Sequence, residues 1–154
     1  MRADNKHFTE VEILSFKARC KLDGMSYEQT VEVRTNDGQV IRLFDFMGFA
    51  VNESRLGKGK RVVLCVPYIE GEIERLDSGT PQILENDFDW ETDQPSRLTL
   101  IARVIEASEQ DHDLLVDAGF GKLYVIPEGE FPGFRPGDII KFTAKRVDLI
   151  EILE

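Results

Sequence analysis

Arg42, Phe44 and Phe46 occupy alternate positions of the run Val40-Ile41-Arg42-Leu43-Phe44-Asp45-Phe46, and Arg34 precedes them across Asn36-Asp37-Gly38. Alternate residues of an extended chain share a side. This spacing therefore sets a guanidinium beside two rings, groups that pair with phosphates and stack on flat π-faces. Lys58, Lys60 and Arg61 add cations shortly afterwards. The complementary chemistry sits in Asp87-Phe88-Asp89-Trp90, where carboxylates alternate with rings. Such a segment suits a basic aromatic groove, in its own chain or on a partner; the plainer reading is a solvated linker whose Phe88 and Trp90 plug a seam. Acid–base chemistry is scarce. The two histidines, His7 and His112, have no nucleophile at recognisable spacing, and Gln110-Asp111-His112-Asp113 reads as a polar turn. Gly57-Lys58-Gly59-Lys60 lacks the spacing of a phosphate loop, and carboxylate pairs arise by chance among 29 acids. No catalytic residue, metal site or cofactor is expected.

Several classes are disfavoured by composition. The net charge of −10 repels phosphate backbones and argues against a general nucleic-acid coat, although single-strand binders work through a local groove. Cys20 and Cys65 lie in apolar alternating runs without a Cys-x-x-Cys, so buried free thiols and a reducing compartment are expected. Met1 to Lys6 lacks an apolar leader core, and no run approaches the roughly 18 apolar residues of a membrane span. A cytoplasmic protein with no membrane contact is the expectation.

The elements that position these residues all read as strands. Leu14, Phe16, Ala18 and Cys20 alternate with Ser15, Lys17, Arg19 and Lys21, which predicts a half-buried strand. After Asp23-Gly24, Val31 and Val33 point inward, and Asp37-Gly38 predicts a two-residue primed turn into Val40–Phe46, with Ile41 and Leu43 inward. One helical turn fits between Gly48 and Gly57. Arg61 to Val66 is apolar on both faces and predicts a central strand; Pro67 and Gly71 mark a bend before a strand ending near Leu76. Residues 77–96 break the pattern and read as an acidic connector. Alternation resumes with Leu98, Leu100, Ala102 and Val104, then Leu114–Val116, Gly121–Val125 and Asp138–Phe142.

The halves can be laid on each other. Leu14–Arg19 matches Leu98–Arg103 at an offset of 84, Val31, Val33 and Gly38 match Leu114, Val116 and Gly121 at 83, and the segment from Arg61 matches that from Asp138 at 77. This order predicts an all-β protein of two small packed barrels, residues 8–76 and 97–154, joined by the linker 77–96. A single irregular barrel or sandwich is the alternative.

Gly59-Lys60-Arg61-Val62-Val63-Leu64 and Pro136-Gly137-Asp138-Ile139-Ile140-Lys141-Phe142 each lead from a turn into a fourth strand. In this the chain resembles the OB-fold, a five-stranded Greek-key barrel, without the usual helix between strands three and four. The resemblance is of architecture and points to no particular family. It implies a binding face on strands two and three, which here carries Arg34, Arg42, Phe44 and Phe46 with Lys58, Lys60 and Arg61 close by. The corresponding face of the second half offers Lys122 and Tyr124, with Lys141, Lys145 and Arg146 on the last strand. Single-stranded nucleic acid, or an assembly acting on it, is the implied partner. A protein partner docking on the acidic surface and on Phe88 and Trp90 is the alternative, and buried rings at Phe44 and Phe46 would favour it.

Overall fold

A computed structural model describes residues 7–18, 21–22, 25–26, 29–45, 55–88 and 94–153. Cys20, Asp23-Gly24, Phe46, Trp90 and most of the expected helical turn at 48–57 lie outside the described residues. The regular structure of the described chain is nearly all strand: β1 (Thr9–Ala18), β2 (Lys21–Leu22), β3 (Met25–Ser26), β4 (Gln29–Thr35), β5 (Val40–Asp45), β6 (Gly57–Val66), β7 (Ile69–Leu76), β8 (Gln82–Asp87), β9 (Arg97–Ser108), β10 (Asp113–Asp117), β11 (Lys122–Val125), β12 (Ile139–Ala144) and β13 (Asp148–Leu153).

Five of these strands close a barrel in the order β1, β4, β5, β13, β6 and back to β1. All neighbours are antiparallel except β5 and β13, which meet in parallel at Asp148 and Phe44. Period-two patterning builds its interior: Val11, Ile13, Val31, Val33, Ile41, Leu43, Val62, Leu64 and Leu149 are all buried in one core. Each such side chain contributes about 1.5–3 kcal/mol by leaving water. Leu14, expected inward, is the extra residue of a β-bulge, since Ile13 faces Val33 while Ser15 already faces Glu32. The bulge shifts the alternation by one residue. It puts Val11 and Ile13 inside and leaves Leu14 half-buried.

The β4–β5 hairpin also departs from the two-residue turn. Thr35 and Gln39 close it, with the Thr35 amide donating to the Gln39 carbonyl at 2.8 Å, so Asn36, Asp37 and Gly38 form a three-residue loop. Only Gly38 takes a positive φ, of 87°, which matches a type I turn followed by one left-handed residue.

β2 and β3 pair only with each other, and the remaining strands form a second arc on the outside of the barrel. Its axis is β9, paired with β10 along Arg103–Ser108, with β12 along Leu98–Arg103 and with β8 along Arg97–Ile101. β10 continues to β11, and β12 to β7. The arc returns to the barrel where β11 lies parallel to β6, Tyr124 opposite Cys65 and Val125 opposite Val66. Parallel neighbours need long crossovers, and each half supplies the other's. β13, from the 97–154 segment, pairs with β5 and β6 of the first half. The end of β6 pairs in turn with β11 of the second half, and β7 with its β12. One contiguous apolar core therefore runs through both halves. Although the two halves share a pairing scheme, the register differs: Ile13 faces Val33, whereas Val104 faces Val116. The offset of 84 between first strands does not carry over to the pairing.

Within the stretch read as a connector, Gln82–Asp87 is strand β8, held on β9 with Ile83 packed against the core. The β10–β11 hairpin tip seats against the barrel just as closely. Thr9 Oγ1 donates to the Lys122 carbonyl and accepts from the Lys122 amide, both at 2.9 Å. A Cβ on Gly119 would stand 2.4 Å from the Pro81 carbonyl oxygen.

Candidate functional site

The face predicted on β5 is covered by the chain itself. Arg42 and Phe44 are each 5% exposed. Along the edge of β5, the Val40 carbonyl accepts from Asn86 Nδ2 at 2.7 Å, and the Arg42 amide donates to Ser96 Oγ at 2.8 Å. The Arg42 carbonyl accepts from the Ser96 amide, and the Phe44 amide donates to the Val147 carbonyl, both at 2.9 Å. Above the strand, the Arg42 guanidinium lies 4.5 Å from the Phe88 ring and Nε donates to Glu32 at 3.3 Å. Phe44 lies 4.3 Å beneath the Arg146 guanidinium, which also sits 5.1 Å from the Tyr68 ring and donates twice to the Asp148 carboxylate, at 2.7 and 3.2 Å. Burial raises the Asp148 carboxyl, and Arg146 pulls it back down. The cations that were to meet phosphates thus stack on rings of their own chain. Phe46 and Trp90 lie outside the described residues.

The other predicted residues fall in separate places. Arg34 and Lys58 come together in a shallow groove of about 310 Å³ with Glu10, Val11, Glu12, Thr35, Asn36 and Gly59. There the Arg34 guanidinium donates to Glu12 at 2.9 Å. Gly59-Lys60, read as a turn, already lies within β6, which starts at Gly57, with φ of 114° at Gly57 and 71° at Gly59. Lys60 is half-buried, whereas Arg61 is exposed and lies 5.5 Å over the ring of Phe8, itself 41% exposed. Across the molecule Lys122 is exposed, but Tyr124 is completely buried with Val63, Cys65 and Leu115, its hydroxyl accepting from the His7 amide at 3.2 Å. Arg42 and Phe44 do lie on the side of β5 opposite Ile41 and Leu43, as their alternation requires; what packs over that side is a long-range matter.

His112 has a φ of 53°, donates through Nε2 to the Pro127 carbonyl at 2.9 Å and sets its ring edgewise on Phe131, centroids 5.7 Å apart. Asp113 beside it is buried. Burial pushes the Cys65 thiol up to about 12, which keeps it protonated and a poor nucleophile. Among the described residues no cluster of three metal-binding side chains occurs, and no helix is long and apolar enough to cross a membrane.

One open cavity was not anticipated. Between β7 and residues 127–134 lies a cleft of about 240 Å³, lined by Ile69, Gly71 and Ile73 on one wall and Pro127, Pro132 and Phe134 on the other, with Glu72, Glu128 and Glu130 at its rim. The available signal was the run Ile69-Glu70-Gly71-Glu72-Ile73-Glu74, together with prolines at 127, 132 and 136. It suggests an acidic edge strand beside a loop that cannot pair with it. Comparison with known proteins finds no matching family model, no matching curated sequence and no matching solved structure.

Proposed function

We propose that this protein is a non-catalytic protein-interaction module built on an OB-like barrel. The five-strand circuit, in which the third strand lies parallel to the last rather than beside the fourth, supports the OB-like reading through its Greek-key connectivity. The observation that carries the function is the occupation of the β5 face. Arg42 is stacked under Phe88 and Phe44 under Arg146, and both are 5% exposed. A stacking groove at that position would need both rings and cations open. The cleft beside β7 has a rim of glutamates, which favours a protein partner over a phosphate backbone.

A smaller nucleic-acid reading rests on exposed Phe8 with Arg61 above it and Lys58 on the same strand as Arg61. Anisotropy of labelled oligothymidylate and oligouridylate, at low and physiological salt, separates the two. Under the interaction reading neither oligonucleotide binds at physiological salt. Salt-sensitive binding that Phe8→Ala/Arg61→Glu abolishes would overturn that reading in favour of the smaller site.

A further inference from the structure

Resting on the protein-interaction reading above, we propose that the cleft between β7 and residues 127–134 binds a short basic segment of a partner protein, seating one bulky apolar side chain between flanking lysines or arginines.

The walls are pre-formed. Ile69 belongs to the main core, and Ile73 and Phe134 pack against it. The far wall is pinned at both ends: the Pro127 carbonyl accepts from His112, and Arg75 donates to the Gly133 carbonyl at 3.2 Å while its guanidinium lies 5.0 Å over Phe134. Prolines at 127 and 132 further restrict the loop between. Little ordering is left to oppose binding. At about 240 Å³ the cleft falls below the roughly 300–1,000 Å³ of small-molecule sites, a size suited to one anchoring side chain.

Charge selects the occupant. Glu72, Glu128 and Glu130 are exposed at the rim and, among the described residues, no cation lines the cleft; Arg75, whose guanidinium lies over Phe134, is paired with Asp138 at 3.3 Å. β7 ends the sheet, paired on one side by β12. Its edge is nevertheless broken, because residues 71–73 lie opposite Phe142 alone and Gly71 has a φ of 76°. Bulges and charges of this kind block strand addition, so docking proceeds through the side-chain cleft. A second copy is disfavoured, since its own acidic rim would meet this one in a chain of net charge −10.

The test uses the full chain and fluorescein-labelled peptides bearing one Leu, Phe or Trp between Lys and Arg residues, read by anisotropy at physiological salt. Controls replace the anchor by Ala, or the cations by Glu. The anchored basic peptides are expected to bind, and either control to weaken binding about tenfold or more. The surface variant Glu72→Lys/Glu128→Lys should cause a similar loss while its melting temperature stays unchanged. Amide shifts on binding are expected at Gly71, Ile73, Glu128 and Phe134. Three results would each overturn the site: no peptide binding, indifference to the anchor, or shifts that map elsewhere. Peptide binding elsewhere would leave the interaction reading standing, whereas oligonucleotide binding sinks that reading itself.

Discussion

Replacing Leu149 by Ala tests whether the two halves are one cooperative unit. Leu149 is 3% exposed on β13, directly across from Leu64 of β6, and lies in the core shared by both halves. Truncating a buried leucine to alanine costs about 2–5 kcal/mol, by lost transfer energy and the cavity left behind. A domain of this size has about 5–15 kcal/mol in total. At roughly 2–4 °C per kcal/mol for chains of 150–250 residues, the melting temperature should fall by about 4 to 20 °C. The decisive readout is residue-resolved: native-state hydrogen exchange at Val33 in the barrel and at Leu100 in the arc. Because β13 closes the barrel, while the end of β6 and β7 complete the arc, both amides should lose protection by the same free energy. Leu84→Ala, at a side chain 44% exposed, should shift stability by no more than about 0.5 kcal/mol. Loss of protection at Val33 with Leu100 unchanged would refute the strand exchange and restore two independent units.

Gly119→Ala should cost far more than Gly38→Ala, although their φ values are 88° and 87°. The new Cβ meets the Pro81 carbonyl oxygen in the first case and open space in the second. The Gly38 variant should lose only the left-handed penalty of about 1–2 kcal/mol, and urea midpoints measure the difference. Cys65, pushed up to about 12 from 9.0, should resist iodoacetamide at mildly alkaline pH until the protein unfolds, as followed by peptide mass mapping. The folded state holds this proton where the unfolded chain releases it. Its contribution to stability is thus complete below pH 9.0 and lost as pH rises toward about 12, a slope that Cys65→Ala should flatten. Arg146→Met removes the cation that offsets the raised carboxyl of Asp148. With that carboxyl higher still when folded, the variant's deficit should be greatest near neutral pH and shrink as pH falls toward 3.8, the ordinary Asp value below both folded values; denaturant titrations across that range report it.

Alternation along the chain was a dependable guide to inward sides. Val31 and Val33, Ile41 and Leu43, and Leu98, Leu100, Ala102 and Val104 are buried as their spacing requires, because the pleat turns every second side chain the same way. Val62 to Val66 is buried on both faces, as an apolar run without alternation implies. The miss at Leu14 has a local cause, a single bulge that shifts the phase of its strand.

The candidate face failed for a different reason. Arg42 and Phe44 do lie opposite Ile41 and Leu43, but Ser96, Phe88 and Arg146, each more than 40 residues away in the chain, fold over them. The β7 cleft left only the hint of an acidic strand and a proline-rich loop, since its walls are separated by more than 50 residues and their meeting is a long-range matter.

Strand identity, inward sides and the acidic balance follow from local spacing and composition, since pleat geometry and charge act residue by residue. The pairing of β13 with the first half, the covering of Arg42 and Phe44, and the opening beside β7 follow instead from which distant segments share a core. That choice is made by summed apolar burial and edge hydrogen bonds, and neither leaves a mark in any short window of the chain.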